Sequence, residues 1–388
     1  MSGCLLAYAI LKLSPSLNVM LIDENPQQAA STSHPGFDAR SIALSAGSCQ
    51  LLEQLDLWAE LKEQAQAIDD IHISDLGYGG AVDLSGKHNA QPFGYVVALQ
   101  NIGRLLTKQL AACPQLTRRY ESRFIAIEKQ PEQLICELEN GQKIRAKLCV
   151  AADGSDSSTR ELLAIETQTS DYQCAAIIAN VSCAKAHLNK AYERFSPSGP
   201  IALLPLTENR FSLVWSVEKS ELARLLKLDD EAFLAELQHS FGYRAGIFRE
   251  IGRRDSYPLK LLKTDKAVTH RGVCIGNAAH CLHPIMGQGF NLGMRDLYVL
   301  ARVISQVEDL AQLGDYQMLN NYWSARQNDH RQTILMTDST LRIFSNSSWP
   351  VIIGRNIALH AMSFFPGLSA PIVKQAKGQF NLFKGKRN

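Results

Sequence analysis

The stretch RGVCIGNAAHCLHPIMGQGFNLGMRDLY, residues 271–298, limits what this chain can fold into more than any other. Gly272–Ile275, with apolar Val273 and Ile275, predicts a short buried strand. Small residues follow at once: Gly276, Asn277, Ala278 and Ala279. Then come His283-Pro284, the run Gly287-Gln288-Gly289, and a helix carrying Asn291, Gly293 and Asp296. A backbone with so few side chains can lie against a flat molecule. Its amides, near a helix N-terminus, favour anions or electron-rich carbonyls.

Composition narrows the class. At 388 residues the chain has room for two domains with cores of their own. A net charge of +2 argues against a dedicated nucleic-acid binder, which carries a dominant basic face. The nine cysteines are scattered without a C-x-x-C, and they read as reduced core residues of a cytoplasmic protein. The start MSGCLLAYAILKL lacks the basic region of a cleavable signal. No stretch reaches spanning length uninterrupted; the nearest, 350–374, is broken by Arg355, Asn356, His360 and Pro366. His280 and His283 are three apart without a third ligand at metal spacing, so no metal site is expected.

In chain order, residues 2–13 predict a helix and Asn18–Asp23 a buried strand ending in acid. Gly3 at the helix start and Asp23 twenty residues on form the second half of a dinucleotide fingerprint. Residues 34–48, HPGFDARSIALSAGS, read as a loop entering an amphipathic helix over Gln50–Ala65. Residues 68–100 read as strands around a turn at Gly77–Gly80, suited to a second domain's sheet. Asn101 precedes a helix and is either a ligand contact or a plain cap. Residues 118–152 form a meander with a hairpin at Asn140-Gly141, leading into AKLCVAADGSDSSTRELL with its Asp153-Gly154 turn. Alternating strands over 174–218 build an antiparallel sheet with one covered face, able to roof a cavity. Two charged helices fill 219–242, and 255–261 returns the chain to the first domain. Helices follow to about 345, with Asp315 and Tyr316 in the linking turn. The last segment, WPVIIGRNIALHAMSFFPGLSAPIV, is apolar, and Lys374, Lys377, Lys384, Lys386 and Arg387 make the tail basic. It suits either a membrane surface or docking on the chain's own core.

The 271–298 block resembles the second flavin motif of the FAD-dependent aromatic hydroxylases. Its His-Pro…Gly-Gln-Gly…Asn…Gly…Asp spacing is similar to that of the ubiquinone-biosynthesis branch. HPGFDARSIALSAG and ERFSPSGPIALLPL carry the same resemblance, whose details are nearest to hydroxylases of 2-polyprenyl-6-methoxyphenol. It implies an α/β fold: a Rossmann-like FAD-binding domain of the glutathione-reductase type (1–67, 95–170 and 263–330), interleaved with an antiparallel-sheet substrate domain (68–94 and 171–262). C-terminal helices occupy 331–388. It implies FAD, with NAD(P)H as co-substrate, and oxygen delivered by a flavin C4a-hydroperoxide to a polyprenylated phenol. The cofactor residues it implies are Gly3, Asp23, Arg40, Asn101, Asp153, Gly154, Gly276, Asn277, Pro284, Gly287, Gln288, Gly289 and Asn291, with no catalytic side chain assigned. Asp153 is expected to be a hinge of hydrogen bonds rather than a proton donor. Asn277 stands where the family has Asp, and Met286 where it has a small residue, narrowing the flavin edge.

Two further implications concern setting. The partners implied are the phenol, a ubiquinone-biosynthesis complex and peripheral contact with the inner membrane. The alternatives are a sister hydroxylase acting at another ring position, and a flavin-less subunit of the biosynthetic assembly. The family's first strand and its G-x-G precede the point matched by Met1. The expectation is that the chain as written binds FAD poorly or folds poorly, and that a version extended upstream is yellow and active.

Overall fold

A computed structural model describes residues 1–26, 40–86 and 91–378. Helix α1 (Ser2–Leu13) is apolar all round, and Leu5 to Leu11 are buried without a break. Only a helix at the centre of a domain tolerates that pattern. It feeds β1 (Val19–Ile22), which pairs in parallel with β7 (Leu116–Arg119). The strand was expected to be buried, yet Met20 is 39% exposed. Among the described residues β1 has a strand partner on one side only, which leaves it half-covered.

The segment read as a loop into one helix is a strand and two helices. β2 (Ser41–Ser45) is followed by α2 (Ala46–Gln54) and α3 (Trp58–Lys62). Asp56 takes a left-handed φ of 56° and breaks the helix there. β3 (Gln66–Ile68) and β6 (Gly94–Ala98) join β2 in a sheet of order β2-β6-β3. Between them run β4 (Asp70–Asp75) and β5 (Ala81–Ser85), and after them α4 (Leu99–Ala111). β8 (Phe124–Lys129), β9 (Leu134–Leu138) and β10 (Lys143–Ala146) form the expected meander, and Gly141 at φ 81° makes its turn. β11 (Cys149–Ala151) and short α5 (Ser158–Leu162) complete this half.

The large sheet runs from β12 (Thr167–Cys183) through β13 (Lys190–Phe195), β14 (Ile201–Leu206) and β15 (Arg210–Glu218). α6 (Lys219–Lys227) and α7 (Asp230–Phe241) cover one face of it, with Phe233 edge-on to Trp215 at 5.5 Å. β16 (Phe248–Ile251) and β17 (Asp255–Thr264) add to it. β17 pairs with β12 along its whole length, so 255–261 belongs to this sheet instead of leaving it. β18 (Val268–Thr269) and β19 (Gly272–Cys274) pair beside β11, and β20 (His280–Cys281) closes the large sheet's edge. α8 (Gln288–Ser305) packs on α1.

α9 (Tyr316–Ser345) is continuous through residue 331, where a separate C-terminal segment was expected to start. α10 (Trp349–Phe364) and α11 (Ala370–Ala376) follow. Arg355 of α10 is buried. It pairs with Asp75 at 2.8 Å and donates to the carbonyls of Ile343, Phe344 and Asn346, which end α9. Lys377, read as part of a basic tail, is 2% exposed and donates to the Gln91 carbonyl at 3.2 Å. Lys384, Lys386 and Arg387, and residues 34–39 of the predicted loop, lie outside the described residues.

Candidate functional site

β11 and β19 lie parallel and end level, Ala151 opposite Cys274. The chain leaves them as Ala152-Asp153-Gly154 and Ile275-Gly276-Asn277. The N-terminus of α1 comes up against both turns. A Cβ at Gly3 would sit 3.5 Å from Ala152 Cβ, and one at Gly276 only 2.8 Å from Ser2 Oγ. A Cβ at Gly293 would lie 3.2 Å from Gly276 Cα, so α8 closes on the same point. Gly276 also takes φ 56°. A helix N-terminus facing the carboxyl ends of parallel strands is where open α/β sheets bind ligands. Asn277 is the one exposed residue between 271 and 280.

Asp153 does structural work in its turn. It accepts from Ser157 Oγ and, at 3.0 Å, from the Thr159 amide. Ser157 caps α5 by accepting from Arg160 N, and buried Arg160 donates to the carbonyls of Ser155 and Ala278. The network ties the two turns together. Gly154 at φ 94° opens the bend. Asp23, just past β1, accepts from the backbone and side chain of Asn25.

The second part of the site is the loop into α8. Met286 and Gly287 are both left-handed, at φ 54° and 61°, and turn the chain sharply after Pro284. A Cβ at Gly287 would stand 3.2 Å from Ala43 Cβ, so the loop packs on β2. At Gly289 a Cβ would meet no protein atom within 4 Å. Asn291 was read as a cofactor contact, but its side chain is fully used inside the protein. Its oxygen accepts from Ser45 N (2.8 Å) and Ser48 Oγ (2.7 Å), and its amide donates to the carbonyls of Ala43 (2.8 Å) and Gly287 (2.7 Å). Asn291 therefore braces the loop. Gln288 is 3% exposed, and its Oε1 has no partner among the described residues. The Arg40 carbonyl accepts from Leu99 N at 2.9 Å, which brings β2 to the start of α4. There a cavity of about 280 Å³ is lined by Ser41, Gln100, Asn101, Asn180, Thr207 and Arg210. Asn101 is not a cap: Ala98 holds that position and makes no side-chain bond.

These features fit FAD. The open space at Gly289, an α8 N-terminus without a side-chain cap and the orphaned Gln288 oxygen suit a flat ring with a hydrogen-bonding edge. The α1–β11–β19 junction suits the anionic part of a dinucleotide.

The large sheet supplies a wall that the sequence reading did not itemise. Glu193, Ala202 and Val214 are cross-strand neighbours and share the face away from α6 and α7. Ser212 and Ser216 flank Val214 on that face. The same face packs with Ile285 and Met286 of the loop. His283 is 1% exposed; its Nε2 lies 3.4 Å from Ser216 Oγ, its ring meets Tyr172 edge-on, and its Nδ1 has no partner among the described residues. Burial pulls the imidazole down to about 4, so it is neutral near pH 7. Glu193 is pushed up to about 8 by burial, against the opposing effect of the Met286 amide. Each orphaned buried polar atom costs about 1–3 kcal/mol, which a ligand's hydrogen bond recovers.

Behind α8 a second buried group binds the helices. Asp296 accepts from His280 and His330, both at 2.7 Å, and from Arg326 at 2.8 Å. Arg326 also pairs with Asp329 at 2.6 Å, and Asp329 with Arg295 at 2.7 Å. Burial pushes the Asp296 carboxyl up, but His330, Arg326 and His280 outweigh it and hold it well below the carboxylate range. His280, Asp296 and His330 are close enough to share a cation. Arg326 already supplies the positive charge there.

Comparison with known proteins agrees with this geometry. The FAD binding domain family matches residues 16–336. Ubiquinone hydroxylase UbiL of Rhodospirillum rubrum is 33% identical over 368 residues, covering 94% of this chain and 85% of its own length. The 3-demethoxyubiquinol 3-hydroxylase of Escherichia coli is 28% identical, with 88% of each chain covered. The human ubiquinone biosynthesis monooxygenase COQ6, mitochondrial, is 27% identical, covering 92% of this chain and 85% of its own. Among solved structures, p-nitrophenol 4-monooxygenase PnpA from Pseudomonas putida superposes with a TM-score of 0.79 at 16% identity, covering 100% of this chain and 96% of its own. Klebsiella pneumoniae HpxO, solved with FAD and uric acid, gives 0.70 at 15% identity, covering 95% and 97%. At those identities the structural likeness speaks for the fold.

Proposed function

The chain belongs to the FAD binding domain family, and from that premise we propose that it hydroxylates a polyprenylated phenol in ubiquinone biosynthesis. It is an FAD-dependent monooxygenase of the ubiquinone pathway. The finer reading is a 2-polyprenyl-6-methoxyphenol-type substrate. Bound FAD, reduced by NAD(P)H, supplies the electrons and the activated oxygen. The protein binds, orients and keeps water out.

The observation that carries the reading is the loop 283–291, whose one side leaves open space at Gly289 while its other side packs on the large sheet. We assign Gly3, Asp153, Gly154, Gly276 and Asn277 to the dinucleotide's phosphates and ribityl chain, and Asp23 to its ribose. Arg40, Asn101, Pro284, Gly287, Gln288 and Gly289 are assigned to the flavin end, and Asn291 holds them in place. Apolar residues across the sheet face, such as Ile73, Val82 and Phe195, shield the ring-binding space from solvent.

An oily tail calls for access to lipid. α10 buries Ile352, Arg355 and Leu359 and turns Trp349, Ile353, Ile357 and Phe364 outward, between 52% and 77% exposed. Its near-helical spacing makes an apolar stripe suited to a membrane surface or a partner subunit. Among the described residues no single helix is long and apolar enough to cross a membrane; one bent pair, Trp349–Phe364 with Pro366–Ala376, passes by length and composition.

The test is the quinone profile of a deletion strain. Accumulation of a 2-polyprenylphenol-type intermediate lacking the new oxygen is expected. An intermediate stalled at another ring position assigns the chain to a sister hydroxylase, and an unchanged profile overturns the reading. A purified protein without flavin absorbance points instead to a non-catalytic subunit.

A further inference from the structure

The large sheet carries one carboxyl where an apolar side chain belongs. Glu193 lies in mid-strand, and its neighbours across β4 and β14 are Ile73 and Ala202. It is 6% exposed, and its Oε1 has no hydrogen-bond partner among the described residues. The Met286 amide of the cofactor loop addresses the carboxyl. No cation among the described residues pairs with it, unlike Asp75, the next acid on this face, which is held by Arg355 of α10. His283, on the same loop, is neutral. His283 meets the sheet at Ser216, two strands from Glu193, about 10 Å across. Between the two strands that carry these polar points lies β14, which presents small Ala202 beside Glu193.

We propose that Glu193 binds the hydroxyl of the aromatic substrate and takes its proton as the ring is oxygenated. The inference rests on the phenol-hydroxylase reading and adds a catalytic residue to it. The phenolic O–H bond breaks, its proton goes to Glu193 Oε1, and the electron pair stays on oxygen and feeds the ring carbon that gains the new hydroxyl. That carbon's hydrogen leaves as a proton and returns to the phenolic oxygen. The O–O bond of the dioxygen reduced by the two electrons of NAD(P)H would break as that hydroxyl forms, and the second oxygen would leave as water with the proton on Glu193 and the one the reduced cofactor carries. Burial helps this role. A carboxyl near 8 is a far closer match to a phenol near 10 than an ordinary glutamate is.

The experiment uses FAD-loaded wild type, Glu193→Gln and Glu193→Asp with 2-geranylphenol as the probe. Product formation, NADPH oxidation, hydrogen peroxide, flavin content and the phenolate absorbance of bound probe are read across pH. Glu193→Gln is expected to keep its flavin and continue oxidising NADPH to peroxide, while product falls about 100-fold or more. The wild-type rise in rate toward pH 8 should vanish in this variant, and bound phenolate should form only at higher pH. Glu193→Asp should retain part of the activity and the pH rise. Product from Glu193→Gln within about threefold of wild type overturns the proposal. So does parallel loss of flavin and product, which marks a structural role. A flavin-loaded wild type that neither binds nor hydroxylates the phenol refutes the parent reading, and this assignment with it.

Discussion

Glu193 should be felt in stability as well as in turnover. Its pKa is about 8 in the folded chain, from an ordinary 4.5. Each pH unit between those values is about 1.4 kcal/mol of differential proton binding, so the whole interval is worth about 5 kcal/mol. The sign follows from which state holds the proton more tightly. Below 4.5 both states are protonated and the site carries no penalty. As pH rises toward 8 the unfolded chain ionises first, and the folded state loses stability by that slope. Above 8 both are ionised, and the full cost of a buried charge remains. Glutamine has the same shape and no charge. Glu193→Gln should therefore match wild type near pH 4.5 and outlast it increasingly up to pH 8, by about 3 kcal/mol at neutrality. The assay is urea unfolding of the FAD-loaded pair at one-unit steps across that window, comparing midpoints. Other titrating groups are common to both proteins and cancel. Parallel curves would refute the reasoning, because they would mean that Glu193 ionises as freely when folded as when unfolded.

Three further outcomes are expected. Gly289→Val should fold normally, since its Cβ meets no protein atom within 4 Å, but should lose FAD; normal flavin absorbance would remove the loop from the cofactor site. Asp296→Ala leaves fully buried Arg326 with Asp329 alone and takes the shared acceptor from His280 and His330; it should cost about 3–5 kcal/mol, and an unchanged thermal midpoint would contradict the network. Ile353→Asp combined with Ile357→Asp changes two residues more than half exposed, so stability should move by less than about 1 kcal/mol while binding to liposomes or partner subunits drops. Undiminished binding would leave α10 with only its docking role on the sheet.

What could be read from the chain followed how local the cause was. The β19–α8 block was legible because its glycines and short strand act within a few residues. The hairpin at Gly141 and the antiparallel sheet of 174–218 were legible for the same reason, by turn chemistry and alternation. β2 was misread as a loop because SIALS becomes a strand only by pairing with β6, about fifty residues on. One helix was read over 50–65 because its apolar spacing hides the break at Asp56. Asn291 was read as a ligand contact since an amide in a Gly-rich loop gives no hint of four protein partners. Alternation alone does not single out Glu193 within KAYERF; its burial comes from the packing of the loop on the sheet. The spacing of Arg326, Asp329, His330 and Thr333 did hold a signal, one helix face of charged groups, which a search along α9 for partners of Asp296 would have caught.

Met286 links the two halves of the site through one peptide. Its amide addresses Glu193, and the next residues, Gly287 and Gly289, form the floor beside β2 and the open space at α8. On the proposed reading, a cofactor on one side and a phenol on the other would share the left-handed geometry at residues 286 and 287. Their affinities are then thermodynamically linked: whatever factor the flavin adds to binding of the phenol, the phenol returns to the flavin. On that reading the two ligands would report each other's presence through this loop, and the flavin would be held most tightly when a ring is there to be oxygenated.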